Sequence, residues 1–92
     1  MSDIGQLENR RKRLIYRSEH TGTQETDLIL GQFARAHVPT FTPEELDAFE
    51  RLLDESEPDL WLWLTGRGEP PPELATPVFD RLRAFRFEPG RR

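Results

Sequence analysis

The stretch TPEELDAFERLL, residues 42–53, carries the clearest structural signals in the chain and indicates its fold class. Thr42 can cap a helix, Pro43 fits the first helical position, and Glu45 completes a capping box three residues after the cap. Apolar residues then recur at the helical period, at Leu46, Phe49 and Leu53. A short helix with one apolar face must bury that face against other helices, so the stretch predicts a helical bundle.

Two helices are predicted before this stretch. The first covers about Gly5 to Arg17, with Arg10–Arg13 mostly solvated and three residues facing inward: Leu7, Leu14 and Ile15. The second runs from about Leu28 and is stopped by Pro39, because a proline disfavours helical backbone in the residue before it. Its predicted buried face comprises Leu28, Ile29, Phe33 and Ala36.

Two shorter helices are predicted after residue 53. Pro58-Asp59 opens the fourth helix, residues 60–64 form it, and Gly66 ends it. Periodicity alone would also allow a buried strand at 60–64, but no partner strand occurs elsewhere in the chain. Residues 70–72 are read as a rigid proline linker. The fifth helix then starts near Thr76-Pro77 and buries four residues: Val78, Phe79, Leu82 and Phe85.

The tryptophan pair at residues 61 and 63 lies in the apolar run of the fourth helix. Residues two apart on a helix point to different faces, so we expect one of Trp61 and Trp63 in the core. The other would be available to a partner.

Length and composition indicate one small all-α domain of about five short helices. The 92 residues form a single predicted domain, with residues 1–5 and 88–92 expected to be flexible tails. A charged fraction of 33% suits a thin bundle with much solvated surface, while six Phe and two Trp suffice to close a core. No internal repeat is evident.

Several classes of chemistry are excluded or disfavoured by residue type. There is no cysteine, which excludes disulfides, thiol catalysis and cysteine-based zinc sites. His20 and His37 are too far apart in sequence to indicate a metal site. No phosphate-binding loop follows a strand, and no serine has a nucleophile context. The polar N-terminal segment and the short apolar runs argue against a signal peptide or a membrane span. We expect a non-catalytic, cytoplasmic protein without a metal or a tightly bound cofactor of its own.

The net charge of −4 conceals a strong asymmetry along the chain. Residues 40–75 hold ten acidic side chains against Arg51 and Arg67, giving −8, with +1 before this segment and +3 after it. A basic N-terminal part beside an acidic middle indicates orientation toward a protein partner. The run Arg10–Arg13 leaves open a second reading, a nucleic-acid-associated helical protein, against which stands the acidic pI of about 5.2.

The junction between the first two helices carries a distinctive stretch, Thr21-Gly22-Thr23-Gln24-Glu25. The order of the basic helix, this turn, DLILGQFA at residues 27–34 and EPDLWLWL at residues 57–64 resembles the succinate dehydrogenase flavinylation factors. The resemblance covers about Arg10 to Phe85. It implies an assembly factor that binds the apo flavoprotein subunit of succinate dehydrogenase, and often of fumarate reductase. Such factors promote covalent attachment of FAD to a histidine of that subunit. The flavin is carried by the flavoprotein subunit and not by the factor.

The resemblance also implies which residues contact the partner. The family signature is Arg-Gly-x-x-Glu, and this chain has Gly22 and Glu25 at the matching positions but Thr21 in place of the arginine. Thr brings one hydroxyl where Arg brings a permanent charge and a planar donor fork. That substitution leaves open a diverged paralogue that serves another flavoprotein. The predicted partner-binding set is Thr21, Gly22 and Glu25 with Arg10, Arg11, Arg17 and His20 of the preceding helix.

Gly22 and Glu25 also have ordinary structural interpretations. Gly22 lets another backbone approach closely, but it also simply permits a turn. Glu25 can accept hydrogen bonds from a partner, but it also complements the dipole of the second helix at its first turn. The resemblance favours the interface for both residues.

Overall fold

The computed structural model describes residues 3–20 and 24–85, and this part of the chain forms five α-helices and two 3-10 turns. The helices are α1 (Asp3–Ser18), α2 (Gln24–His37), α3 (Pro43–Leu53), α4 (Glu57–Leu64) and α5 (Pro77–Ala84). The 3-10 turns cover Val38–Thr40 and Pro72–Leu74. Helix α1 packs against α2 and α3, and α5 packs against α3 and α4. No strand occurs in the described residues, and the all-α prediction is confirmed.

Helix α3 begins with the predicted capping box. The Thr42 hydroxyl accepts a hydrogen bond from the Glu45 backbone N–H at 3.2 Å, and the Glu45 carboxylate accepts one from the Thr42 N–H at 2.8 Å. The second of these bonds is the main cause of a lowered pKa for Glu45. Its stabilisation is therefore present above the ordinary pKa of 4.5 and is lost as the pH falls. The buried face of α3 consists of Leu46, Phe49, Leu52 and Leu53.

Thr42→Ala is expected to lower the free energy of unfolding by about 1 kcal/mol, because it leaves the Glu45 backbone N–H without its acceptor. Thr42→Asp provides a matched control, since its carboxylate can accept the same hydrogen bond. Urea unfolding followed by circular dichroism measures both variants. Equal unfolding midpoints for the Ala and Asp variants would contradict a capping role.

Helix α4 ends in a Schellman motif at Gly66. The Gly66 N–H donates to the Trp63 carbonyl at 3.2 Å, and the Arg67 N–H donates to the Leu62 carbonyl at 3.0 Å. Gly66 has a φ of +80°, a region that side chains other than glycine rarely adopt. The helical reading of residues 60–64 is therefore confirmed. Trp63 is 7% exposed and Trp61 is 36% exposed, as expected for one core tryptophan and one surface tryptophan.

The core is built around the ring of Phe33, which is fully buried on α2. Its ring centroid lies 5.6 Å from those of Phe49 and Phe85 and 6.1 Å from that of Phe41. Phe49 comes from α3, Phe41 from the segment before α3, and Phe85 from the end of α5. The Phe33 side chain thus contacts three segments of the bundle: α3, the segment before it and the end of α5.

The predicted start of α2 and half of its predicted buried face were wrong, whereas its end before Pro39 and the inward positions of Phe33 and Ile29 are confirmed. The helix begins at Gln24 rather than near Leu28, and its buried apolar residues are Leu30, Phe33 and Ala34. Leu28 and Ala36 are exposed. Three consecutive apolar residues at 28–30 spread over a wide arc of this helix, so the period alone does not select which arc faces the core. Packing against α1 and the residue after it favours one arc: a Cβ on Gly31 would lie 2.9 Å from the Cγ of Glu19, which directly follows α1.

Helix α5 follows the prediction at its start. The Thr76 hydroxyl accepts a hydrogen bond from the Phe79 N–H at 3.3 Å, and Pro77 is the first helical residue. Val78, Phe79 and Leu82 are buried, whereas Phe85 is only partly buried. The proline linker at residues 70–72 leads into the second 3-10 turn. Residues 88–92, expected to form a tail, lie outside the described residues.

Candidate functional site

Three of the four arginines of α1 donate hydrogen bonds to α3 or to the residues that flank it: Arg10, Arg11 and Arg17. Arg11 donates to the Phe41 carbonyl at 2.8 Å, just before α3 begins. Arg10 donates to Asp47 and, at 2.9 Å, to Glu50. Arg17 donates to the Leu53 carbonyl at 2.9 Å and to the Asp54 carboxylate at 2.7 Å, where α3 ends.

These three arginines hold α1 along the length of α3. Arg17 supplies a cation to the carbonyls at the α3 C-terminus, where the helix dipole favours positive charge. The hydrogen bond with Asp47 is the main cause of a raised pKa for Arg10. The side chains of Arg10 and Arg11 are only 25% and 18% exposed, so the expectation that Arg10–Arg13 is mostly solvated was wrong for these two residues.

The sequence carries a signal for this arrangement in the spacing of its charges. Arg10 and Arg17 are two helical turns apart and share one face of α1. Asp47, Glu50 and Asp54 are spaced by three and four residues and share one face of α3. Two helices with such matched stripes of opposite charge are good candidates for direct pairing.

The stretch at residues 21–23 connects two ends that are each anchored. His20 lies before it, with its Nδ1 2.7 Å from the Tyr16 carbonyl and its ring stacked on that of Tyr16 at 4.1 Å. Thr26 lies after it, 1% exposed, and its hydroxyl donates to the Glu57 carboxylate at 2.7 Å. The described residues on the two sides of the stretch are thus fixed, His20 to α1 and Thr26 to the first turn of α4.

The residues matching the family signature fall mostly outside the described part of the chain. Thr21 and Gly22 are not among the described residues, and only the backbone of Glu25 is described, in the first turn of α2. Their predicted contact with a partner remains a prediction. One turn further along α2, Leu28 is an exposed large apolar side chain at 36%.

A surface groove of about 500 Å³ follows α1 toward the junction. Lys12 and Arg13, the remaining cations of the basic run, are both exposed on its edge. Tyr16, 65% exposed, lies on the same surface and connects the groove to His20. The complete lining is Arg10, Lys12, Arg13, Leu14, Tyr16, Arg17 and Glu50.

Within the described ranges 3–20 and 24–85, no three His, Asp or Glu side chains converge in a way that could hold a metal ion. None of the helices in these ranges is long and apolar enough to cross a membrane.

Comparison with known proteins gives one consistent family. Residues 12–86 match the family described as "Flavinator of succinate dehydrogenase". The chain is 45% identical over 76 residues to the FAD assembly factor SdhE of Acetobacter pasteurianus, an alignment that covers 83% of this chain and 70% of the relative.

Mitochondrial relatives match over nearly the same region. The chain is 39% identical over 82 residues to succinate dehydrogenase assembly factor 2 of Cryptococcus neoformans and 35% identical over 82 residues to that of Dictyostelium discoideum. These alignments cover 88% and 89% of this chain but only 47% and 58% of the relatives, so the chain spans about half the length of these mitochondrial proteins. With its helical architecture, its Gly-x-x-Glu junction and these matches, the chain belongs to the family of flavinators of succinate dehydrogenase.

Proposed function

We propose that this chain binds the apo flavoprotein subunit of succinate dehydrogenase and promotes covalent attachment of FAD to that subunit. Its role in flavinylation is that of an assembly factor and not of an enzyme, as the names of its relatives indicate. The flavin belongs to the partner, and the chain needs no tightly bound cofactor of its own. We place this activity in the cytoplasm.

The observation that carries the proposal is the construction of the α1–α2 junction. A Gly-x-x-Glu stretch that matches the family signature lies between two anchored ends, His20 on Tyr16 and Thr26 on Glu57. These contacts fix the residues on either side of the stretch, so less conformational entropy is lost at His20 and Thr26 when a partner binds there.

The mechanism that suits such a surface is conformational. A factor that binds better to the arrangement in which FAD and its target histidine are aligned shifts the flavoprotein toward that arrangement. Binding energy is then used for orientation, while the bond-forming chemistry stays within the flavoprotein. Gly22 would let the partner backbone approach closely, and Glu25 would accept hydrogen bonds from it.

Size-exclusion chromatography of the purified chain with an apo flavoprotein subunit tests this proposal. We expect the two proteins to co-elute, and we expect no tight binding of free FAD by the chain alone. Separate elution of two folded proteins at micromolar concentrations would contradict the proposed partner.

Thr21→Arg is expected to strengthen flavoprotein binding, because it introduces the charged donor fork of the family signature. Thr21→Lys supplies the charge without the fork and is a matched control. Titration of the apo subunit by isothermal calorimetry gives the affinity of each variant. An unchanged affinity would mean that Thr21 is a neutral replacement for the family arginine. If the wild type binds very weakly and Thr21→Arg restores the affinity, a diverged paralogue is favoured.

The nucleic-acid alternative is weakened by the arrangement of the basic run. Arg10 and Arg11 contact Asp47, Glu50 and the Phe41 carbonyl rather than solvent. Binding to nucleic acid gains most of its affinity from several phosphate contacts at once. Only Lys12 and Arg13 of the run are exposed for such contacts.

A further inference from the structure

The cationic side chains of α1 divide into two functional groups. Arg10, Arg11 and Arg17 bond to α3 and the residues beside it. Lys12 and Arg13 are exposed and form no ion pair with the described residues. The positive charge that α1 can offer a partner is therefore carried mainly by Lys12 and Arg13, a different pair from the Arg10 and Arg11 predicted from the sequence.

These two cations border a surface groove with an apolar component. Leu14 and the ring of Tyr16 contribute the apolar part of its lining, and Arg17 lies at the same groove. The one acid in the lining, Glu50, is already paired with Arg10 at 2.9 Å. The groove thus combines exposed positive charge with an exposed aromatic side chain, a combination that fits an acidic segment carrying an apolar residue.

We propose that this groove docks an acidic segment of the flavoprotein subunit, with Lys12 and Arg13 as the charged contacts and Tyr16 as the apolar contact. The proposal rests on the proposed function and adds a second contact region to the α1–α2 junction. Tyr16 stacks on His20, which lies two residues before Gly22 in the sequence, so the groove extends to the last described residue before the junction. The groove orients the factor, and the junction acts on the flavoprotein.

Charge distribution favours a protein over a nucleic acid as the occupant. The whole chain carries a net charge of −4, and residues 40–75 alone carry −8, which disfavours the approach of a polyanion. A short acidic segment needs only the local pair of cations. A long nucleic-acid backbone needs more phosphate contacts than Lys12 and Arg13 provide.

The double variant Lys12→Glu/Arg13→Glu tests the groove against the apo flavoprotein subunit. We expect it to bind about tenfold more weakly or worse, mostly through a slower association rate, and to lose much of the salt dependence of the wild type. Biolayer interferometry at low and high NaCl concentration measures both quantities. Tyr16→Ala is expected to weaken binding at both salt concentrations, because its contribution is apolar.

Arg51→Glu/Arg67→Glu is the matched control, since it changes the net charge equally at two exposed cations outside the groove. A loss confined to the groove variant supports the proposal. Equal losses in both double variants would assign the effect to net charge and overturn it. Thermal melts establish that each variant is folded, as expected for exposed positions.

Two outcomes separate this inference from the proposed function. If the wild type binds the flavoprotein and the groove variant binds equally well, the groove proposal fails while the proposed function stands. If the folded wild type does not bind, the proposed function fails and the inference fails with it. A further outcome concerns nucleic acid. If the wild type binds a labelled DNA duplex, and only the groove variant loses this binding while its flavoprotein binding is unchanged, the groove is assigned to nucleic acid instead.

Discussion

Phe33→Ala is expected to lower the free energy of unfolding by about 3–5 kcal/mol. The Phe33 ring is fully buried and contacts the rings of Phe41, Phe49 and Phe85. Its removal leaves a cavity between α2, α3 and the end of α5 that small side-chain shifts cannot fill. A domain of 92 residues is stable by about 5–14 kcal/mol, so one substitution removes a large part of the total.

Urea unfolding followed by circular dichroism measures this loss. Phe33→Leu keeps most of the apolar volume and is expected to cost well under half as much. Tyr16→Ala removes an aromatic side chain that is 65% exposed and should change stability by less than about 0.5 kcal/mol. A Phe33→Ala variant as stable as Tyr16→Ala would contradict the position of Phe33 at the centre of the core.

Glu25→Ala is expected to weaken binding of the apo flavoprotein subunit by about 30-fold or more, equivalent to about 2 kcal/mol. The physical reason is that hydrogen-bond donors of the flavoprotein that face the Glu25 carboxylate would be left without an acceptor in the complex. Calorimetric titration gives the affinity, and covalent flavin labelling gives the functional consequence under limiting factor concentration.

Two controls separate this interface effect from a loss of stability. Glu25 stands in the first turn of α2, so its removal is also expected to cost about 0.3–1 kcal/mol of helix-dipole stabilisation. Thermal unfolding measures that part independently. Glu73→Ala removes an exposed acid on the second 3-10 turn and should leave flavoprotein binding unchanged. Equal affinities for wild type, Glu25→Ala and Glu73→Ala would remove Glu25 from the interface.

Helix ends with a capping residue or a terminal glycine were the most predictable part of the fold. The caps at Thr42 and Thr76, the prolines that follow them and the stop at Gly66 act through hydrogen bonds between residues three to five apart. The information for such bonds lies within one short window of sequence. These predictions were confirmed because no distant part of the chain competes with them.

Which face of α2 is buried depends on its packing against other helices and could not be obtained from the spacing of its apolar residues. Leu28 and Ala36 were expected inside, but Leu30 and Ala34 are buried in their place. Gly31 lies close against Glu19, the residue that follows α1, and a side chain there would clash, so this contact favours one rotation of α2. Nothing local in the sequence of α2 specifies that rotation.

The roles of the α1 arginines depend on partners far away in the sequence. Arg10 pairs with Asp47 and Glu50, and Arg17 with Asp54, at separations of 37 to 40 residues. A run of basic residues read alone suggests a solvated face, whereas the bundle uses half of the run to hold α3. The sequence indicated the candidate junction through its resemblance to the flavinylation factors, whose signature lies within five consecutive residues, and the contact of this junction with a partner stays a prediction.

We propose above that the chain accelerates covalent attachment of FAD to a flavoprotein subunit. The rate of that attachment is the most direct test. The apo succinate dehydrogenase subunit is incubated with FAD, with and without the chain, and covalent flavin is followed by in-gel fluorescence. We predict faster labelling with the wild-type chain and a return to the unassisted rate with Glu25→Ala. The same labelling rate with and without folded wild-type protein would contradict the account.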